Sequence, residues 1–299
     1  FRYHCNDENL GSHRNFCAAV QRARGEFVWL IGDDDTLNKG GVAGVLNALE
    51  GQARELDLTV VNLVHAEGGL RPSSGAAYGG IEQVQGSVAR TRADTGVHRF
   101  EDLLDGDRDS DFTAMYTVVV RRSLWLDFFG KQELGRQYTS LLNTYPHAVM
   151  LANTMPGKQA YYLEQPVLTL FDMARDSFEW ARHYPHNLLI RAGELLRCFE
   201  ENGVEYRRIS PYYENQVRRA RKLLASLMWD TDYKGNCLSF FRFLWLMKGY
   251  RWEVLETGRD ACLSDESPAC VRLSVKVTQQ CQLVMWKAWK KIHRNLCHG

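Results

Sequence analysis

Three consecutive aspartates, Asp33, Asp34 and Asp35, follow Gly32 and an apolar run at 27–31. Adjacent carboxylates repel one another, so their presence side by side asks for a nearby positive charge. Ligands of this oxygen-only kind suit a hard divalent cation: Mg2+ or Mn2+ often takes one or two carboxylates and completes its shell with a substrate's phosphates. A second reading has Asp34 or Asp35 capping the helix that follows, where free N–H groups favour a carboxylate. One aspartate serves that purpose. Three point to metal-diphosphate chemistry. Elsewhere, Arg121 and Arg122 follow a strand and could meet phosphate, although a solvated basic pair is the simpler reading. His183 and His186 have a helix-compatible spacing for a metal, but no third ligand pattern accompanies them.

The elements around the triplet must hold it in place. Residues 12–25 read as a helix, with Ser12 as N-cap, Phe16, Ala19, Val20 and Ala23 on one face, and Gly25 as the stop. The run 27–31 has the unbroken apolar character of a strand covered on both faces of a parallel sheet. Val42, Val45, Leu46 and Leu49 recur at helical spacing, and 56–64 is the next strand, which makes a βαβ unit. Ligands of open α/β sheets sit beyond the carboxyl ends of strands, where the triplet lies. From 68 to about 111 the chain turns polar and glycine-rich, which predicts long loops with a short helix near 100–104. Residues 112–122 return to strand character, followed by a helix, and 158–171 is strand-like, with Pro166 suggesting an edge or a bend. Beyond 172 the pattern is helix after helix, so a boundary is expected near 175, between 1–175 and a helical 176–299.

Composition limits the classes of function. Lys plus Arg number 37 against 36 for Asp plus Glu in 299 residues. That balance gives no case for nucleic acid, which shows as a clustered basic excess. Eight cysteines without a CxxC pair predict buried, reduced thiols and a cytoplasmic setting rather than zinc or a disulfide framework. The apolar stretch at 237–247 is broken by Arg242 and is too short to span a bilayer. At 282–296, Leu283, Trp286, Trp289 and Ile292 alternate with Lys287, Lys290, Lys291 and Arg294. Such a helix docks on its own domain or lies peripherally on the anionic inner face of the plasma membrane.

One stretch carries a family resemblance. "NDENLGSHRNFCAAVQRARGEFVWLIGDDDTL" resembles the middle of the nucleotide-sugar-binding domain of family 2 glycosyltransferases, through Asn9, Gly11, Asn15, Gly25-Glu26, the apolar strand and the acidic triplet. Its spelling is most similar to the abequosyltransferase-like branch, which acts in bacterial surface polysaccharide synthesis. The resemblance implies an α/β GT-A (Rossmann-like) core followed by a mainly helical extension. It further implies transfer of a sugar, with inversion, from a nucleoside-diphosphate donor to a glycan or polyprenyl-linked acceptor, assisted by Mg2+ or Mn2+. Asn9, Gly11, Asn15, Asp33, Asp34 and Asp35 would then contact the donor, Asp33 and Asp35 forming the DxD pair, and Asp34 and Asp35 would be the metal ligands. The stretch 145–167 resembles the family's run from its Glu-Asp motif to a Pro-Val. There His147 stands where many members carry the aspartate that deprotonates the acceptor, and its pKa class suits that role. Asp172 resembles a late acidic residue near the sugar pocket.

Two features depart from the family's pattern. Gly32 occupies the first position of the commoner Asp-x-Asp-Asp spelling, and the chain opens inside the third strand of the usual core. The resemblance therefore implies an amino-terminally truncated fold, and a rival reading is a non-catalytic remnant or assembly module. A phosphatase of the haloacid dehalogenase class would need Thr or Val at 37, where this chain has leucine.

Overall fold

The computed structural model describes residues 3–32, 35–66, 86–88, 93–104, 114–171 and 191–212. The chain divides into two compact units. One comprises Phe1–Asn187 with Arg191–Asn215, and the other Leu188–Ile190 with Gln216–Gly299, which lies outside the described residues. Asp33, Asp34, Asp172, His183, His186 and the basic segment at 282–296 also fall outside them.

In chain order the described elements are α1 (Ser12–Arg22), β1 (Phe27–Trp29), β2 (Thr36–Leu37), α2 (Gly41–Glu50), β3 (Leu58–Ala66), β4 (Gly86–Val88), β5 (Gly96–Arg99), β6 (Val118–Arg121), α3 (Arg122–Phe129), α4 (Pro146–Thr154), β7 (Gln159–Phe171) and α5 (Ala192–Glu201). Short 3-10 turns at Phe100–Leu103 and Met115–Thr117 precede Leu104 and β6. The sheet has a long parallel spine, β3 beside β7, and two tiers built on it. In the lower tier β6 and then β1 extend one side of β3, while β5 flanks β7. In the upper tier β4 flanks β3 and β2 flanks β7.

This order corrects the expected βαβ unit. β1 and β3 run in the same direction but are not neighbours, because β6 is inserted antiparallel between them. β1 is accordingly short and only half covered: Val28 is buried, whereas Phe27 and Trp29 are partly exposed. β7 is central rather than an edge. Pro166 fits there because the tiers change at that point. The β3–β7 register slips around Asn62, and the Asn62 amide donates to Glu164 O at 2.8 Å while its Oδ1 accepts from Leu63 N at 2.9 Å. A side chain thus completes the ladder where a bulge and a residue without an N–H interrupt it.

Helix faces also differ from the periodicity. On α1 the buried residues are His13, Cys17 and Val20, and the N-cap is Gly11, since Ser12 is already helical. On α2 the buried residues are the small Gly41 and Ala48 with Val45, while Val42 and Leu46 are about half exposed. The cause is close approach: a Cβ on Gly41 would stand 2.6 Å from Val167 O, so only a small-residue stripe lets α2 lie on β7. One core cluster joins Val45 and Ala48 to Val61, Leu63, Val119, Leu163, Val167 and Leu168, with Trp29 and Ile31 packed at its margin. Phe100, Met150, Leu151 and Phe199 are buried as well, and α4 packs against α5.

The two tiers constrain the acidic turn. Trp29, Val119, Thr59 and Tyr161 form one row across the lower tier, and Thr36, Thr169 and Val64 another row across the upper tier. A flat sheet would place Trp29 and Thr36 about four strand spacings and five residues apart, roughly 25 Å. The seven residue steps between them reach about 25 Å only when fully extended, and they contain a turn. The sheet must therefore curl, bringing its two edges together under the segment 30–35.

Candidate functional site

Trp29 ends β1 level with Thr59 and Tyr161, but Thr36 pairs with Thr169 in the antiparallel β2–β7 pair, so Asp35 lies near the carboxyl ends of the parallel strands β3 and β7. That is where ligand sites of α/β sheets lie.

Asp35 is half-buried, and its Oδ2 accepts the Gly32 N–H at 3.1 Å. The turn is fastened on its far side by Asn38, a residue whose role was not read from the sequence. Asn38 N–H donates to Val167 O at 2.9 Å and its Nδ2 to Pro166 O at 3.0 Å, while its Oδ1 accepts the Thr169 hydroxyl at 2.6 Å. The available signal was an asparagine just past an acidic turn, a position where it commonly bonds to backbone. Among the described residues no group of three His, Cys, Asp or Glu side chains forms a metal cluster. Asp35 is the described residue of the expected acidic triplet.

The other expected donor residues gather at the start of α1. Asn9 Oδ1 accepts the Gly11 N–H at 2.9 Å, and Asn6 Nδ2 donates to Asn15 Oδ1 at 2.8 Å. Gly11 has φ 73°, and a Cβ there would meet Gln137 Oε1 at 2.6 Å. Asn9 and Asn15 thus shape the loop and helix start, the structural role that asparagine often plays. His147 lies in a different place, directly after Pro146 in the first turn of α4, and is 2 % exposed.

Arg121 and Arg122 are neither phosphate ligands nor a solvated pair here. Arg121 stacks over Phe27 at 4.6 Å, pairs with Glu26 and with Asp57 (3.3 Å), and donates to the carbonyls of Arg54 and Leu56. Lys158 joins the same cluster through Asp57 at 3.1 Å. Arg122 donates to Val20 O and Gln21 O, satisfying the carboxyl end of α1. Both arginines stitch the end of the sheet opposite the acidic turn. Burial pushes the Cys17 thiol up to about 11, against a smaller lowering from the Trp125 side chain. It raises Cys198 too, against a smaller lowering from the Asn153 side chain. Cys5, Cys17 and Cys198 are free thiols. No described helix is long and apolar enough to cross a membrane.

No family model matches the chain. Among curated proteins it is similar to the abequosyltransferase RfbV of Salmonella typhimurium, with 26% identity over 276 residues, covering 86% of this chain and 75% of that protein. Among solved structures it is similar to that of S. aureus TarS, with a TM-score of 0.42 and 11% identity, over 85% of this chain and 59% of the other. At that score the structural likeness adds no weight. The sequence match, however, extends far beyond the acidic turn, and the chain is similar over most of its length to an abequosyltransferase.

Proposed function

We propose that this chain is a glycosyltransferase of bacterial surface polysaccharide synthesis. It moves a sugar, with inversion, from a nucleoside-diphosphate donor to a glycan or polyprenyl-linked acceptor. The observation that carries the reading is the acidic turn at the carboxyl end of the curled sheet in a chain related to an abequosyltransferase. Asp34 and Asp35 would hold Mg2+ or Mn2+. Such an ion, when bound, neutralises charge on the diphosphate as it departs. Asn9, Gly11 and Asn15 form the donor side, and their mutual bonds fix that loop before substrate arrives. The acceptor hydroxyl attacks the anomeric carbon opposite the diphosphate, and its proton passes to an imidazole nitrogen of His147. As His147 is 2 % exposed, acceptor binding must uncover it. The enzyme works in the cytoplasm, peripherally on the inner face of the plasma membrane through the segment 282–296.

The same burial favours a second reading, a non-catalytic module of the same fold in which His147 is a packing residue. Transfer assays separate the two. The chain is incubated with nucleoside-diphosphate sugars, Mn2+ and lipid-linked glycans, beside Asp35→Ala and His147→Asn. The first reading expects product whose anomeric configuration is inverted, and a loss of about 10²-fold or more on Asp35→Ala. Donor that neither binds nor turns over supports the module.

A further inference from the structure

The segment 134–144, between α3 and α4, is fastened to the start of α1. His13, 2 % exposed, donates from Nε2 to Gly135 O at 3.0 Å. A carbonyl only accepts, so Nε2 must carry the proton. His13 Nδ1 is buried and meets no hydrogen-bond partner among the described residues. Around it, Arg14 donates to Leu134 O at 2.8 Å, Ser12 N–H donates to Gln137 Oε1 at 3.3 Å, and Gln137 Nε2 donates to Ser12 Oγ at 2.6 Å. The chain then folds on itself: Gly135 N–H donates to Asn143 Oδ1 at 3.0 Å, and Asn143 Nδ2 to Thr139 Oγ1 at 3.2 Å. Tyr138 holds a left-handed φ of 62°, with its carbonyl accepting from the buried Arg191 at 3.2 Å. Tyr145 N–H bonds Leu141 O, and Pro146 and His147 follow at once.

A buried histidine on an amphipathic helix is an expensive way to fill space, since leucine would pack without an unsatisfied nitrogen. Its use is the bond to Gly135, the residue whose own N–H bonds Asn143, three positions before Pro146. We infer that His13 is a positioning residue for His147: through Gly135 and Asn143 it fixes the 134–144 segment and thereby couples the donor side of the site, at Asn9 and Gly11, to the helix that carries the base. The catalytic half of this inference rests on the glycosyltransferase reading; the mechanical half does not.

Hydrogen exchange and kinetics on the full chain test the two halves separately. His13→Ala is expected to speed exchange of amides in 134–145 about tenfold while Val60, Val61, Tyr161 and Tyr162 in the sheet stay unchanged. Gln137→Ala does the same from the other side of the clasp, and serves if His13→Ala fails to fold. His13→Gln, whose side-chain amide can still donate to Gly135 O, restores slow exchange. In transfer assays kcat falls about tenfold on His13→Ala with the donor KM unchanged, and His13→Gln recovers it. Exchange in 134–145 that is unaltered, or that rises equally in the sheet, overturns the clasp. A loss confined to donor KM overturns the link to His147. Absence of transfer by the unaltered chain defeats the glycosyltransferase reading and with it the link to a base, while exchange still decides the clasp.

Discussion

Replacing Gly41 by alanine sets two rules against each other. Helix propensity alone favours alanine by up to about 1 kcal/mol in a helix interior and less in the first turn. The structure opposes it. The new Cβ would lie 2.6 Å from Val167 O and 3.2 Å from both Val167 Cα and Cβ. Ordinary contact begins near 3.4 Å, so α2 or β7 must retreat by roughly 0.8 Å. The carbonyl cannot simply turn aside, because it accepts the Asn38 N–H at 2.9 Å. Overpacking of this kind typically costs about 1–3 kcal/mol, so Gly41→Ala should destabilise by about 1–2 kcal/mol net. Gly44→Ala, one turn along the same helix, is the internal control. Its Cβ would find only Leu163 Cδ2 at 3.8 Å, so there propensity wins and stability rises by about 0.5–1 kcal/mol. Urea unfolding midpoints, with native-state exchange of Val45 and Ala48 to localise the effect, measure both. If Gly41→Ala is as stable as the parent, or the two glycines shift in the same direction, the close approach of α2 to β7 is wrong.

Other perturbations probe the remaining parts of the framework. Arg121→Ala removes a cation–π contact, two ion pairs and two carbonyl bonds at once, and should destabilise by about 1–3 kcal/mol in denaturant. Lysine at that position recovers less than half, because its single ammonium cannot serve the fork; full recovery would contradict the geometry. Asn38→Ala unties the acidic turn from Pro166 and Thr169. It should weaken Mn2+ binding measured by calorimetry about tenfold, with unfolding altered by less than about 2 kcal/mol; unchanged binding would show that Asn38 has no part in holding the turn. Cys5 is exposed, whereas Cys17 is buried with its thiol pushed up to about 11. Brief maleimide labelling at pH 8 followed by peptide mass mapping should mark Cys5 and leave Cys17 unmodified until the protein unfolds.

The sequence was most informative where one local interaction dominates. The helices at 12–25 and 42–49 and the long strand at 158–171 were legible, because each carries its own periodicity or composition. What periodicity could not supply was adjacency. Nothing in "FVWLI" says that a strand arriving some ninety residues later, β6, will insert antiparallel beside it, so the βαβ expectation failed there. Face assignment failed for a related reason. α2 turns its smallest residues inward because β7 comes so close, and α1 buries a histidine because a loop more than a hundred residues away offers it a carbonyl. At the candidate site Asn38 could not be named, since its partners Pro166 and Thr169 lie more than a hundred residues further along the chain.

The crossing at 30–35 has a consequence for how such a protein can vary. It is a drawstring between opposite rims of the sheet, nearly taut and with a knot tied by Asp35 and Gly32. Shortening it by one residue pulls the rims out of register, and lengthening it slackens the bond between Asp35 and Gly32. Thr36 and Leu37 must still meet Thr169 and Leu168 after any such change, so the pairing at its far side sets the length this crossing can have.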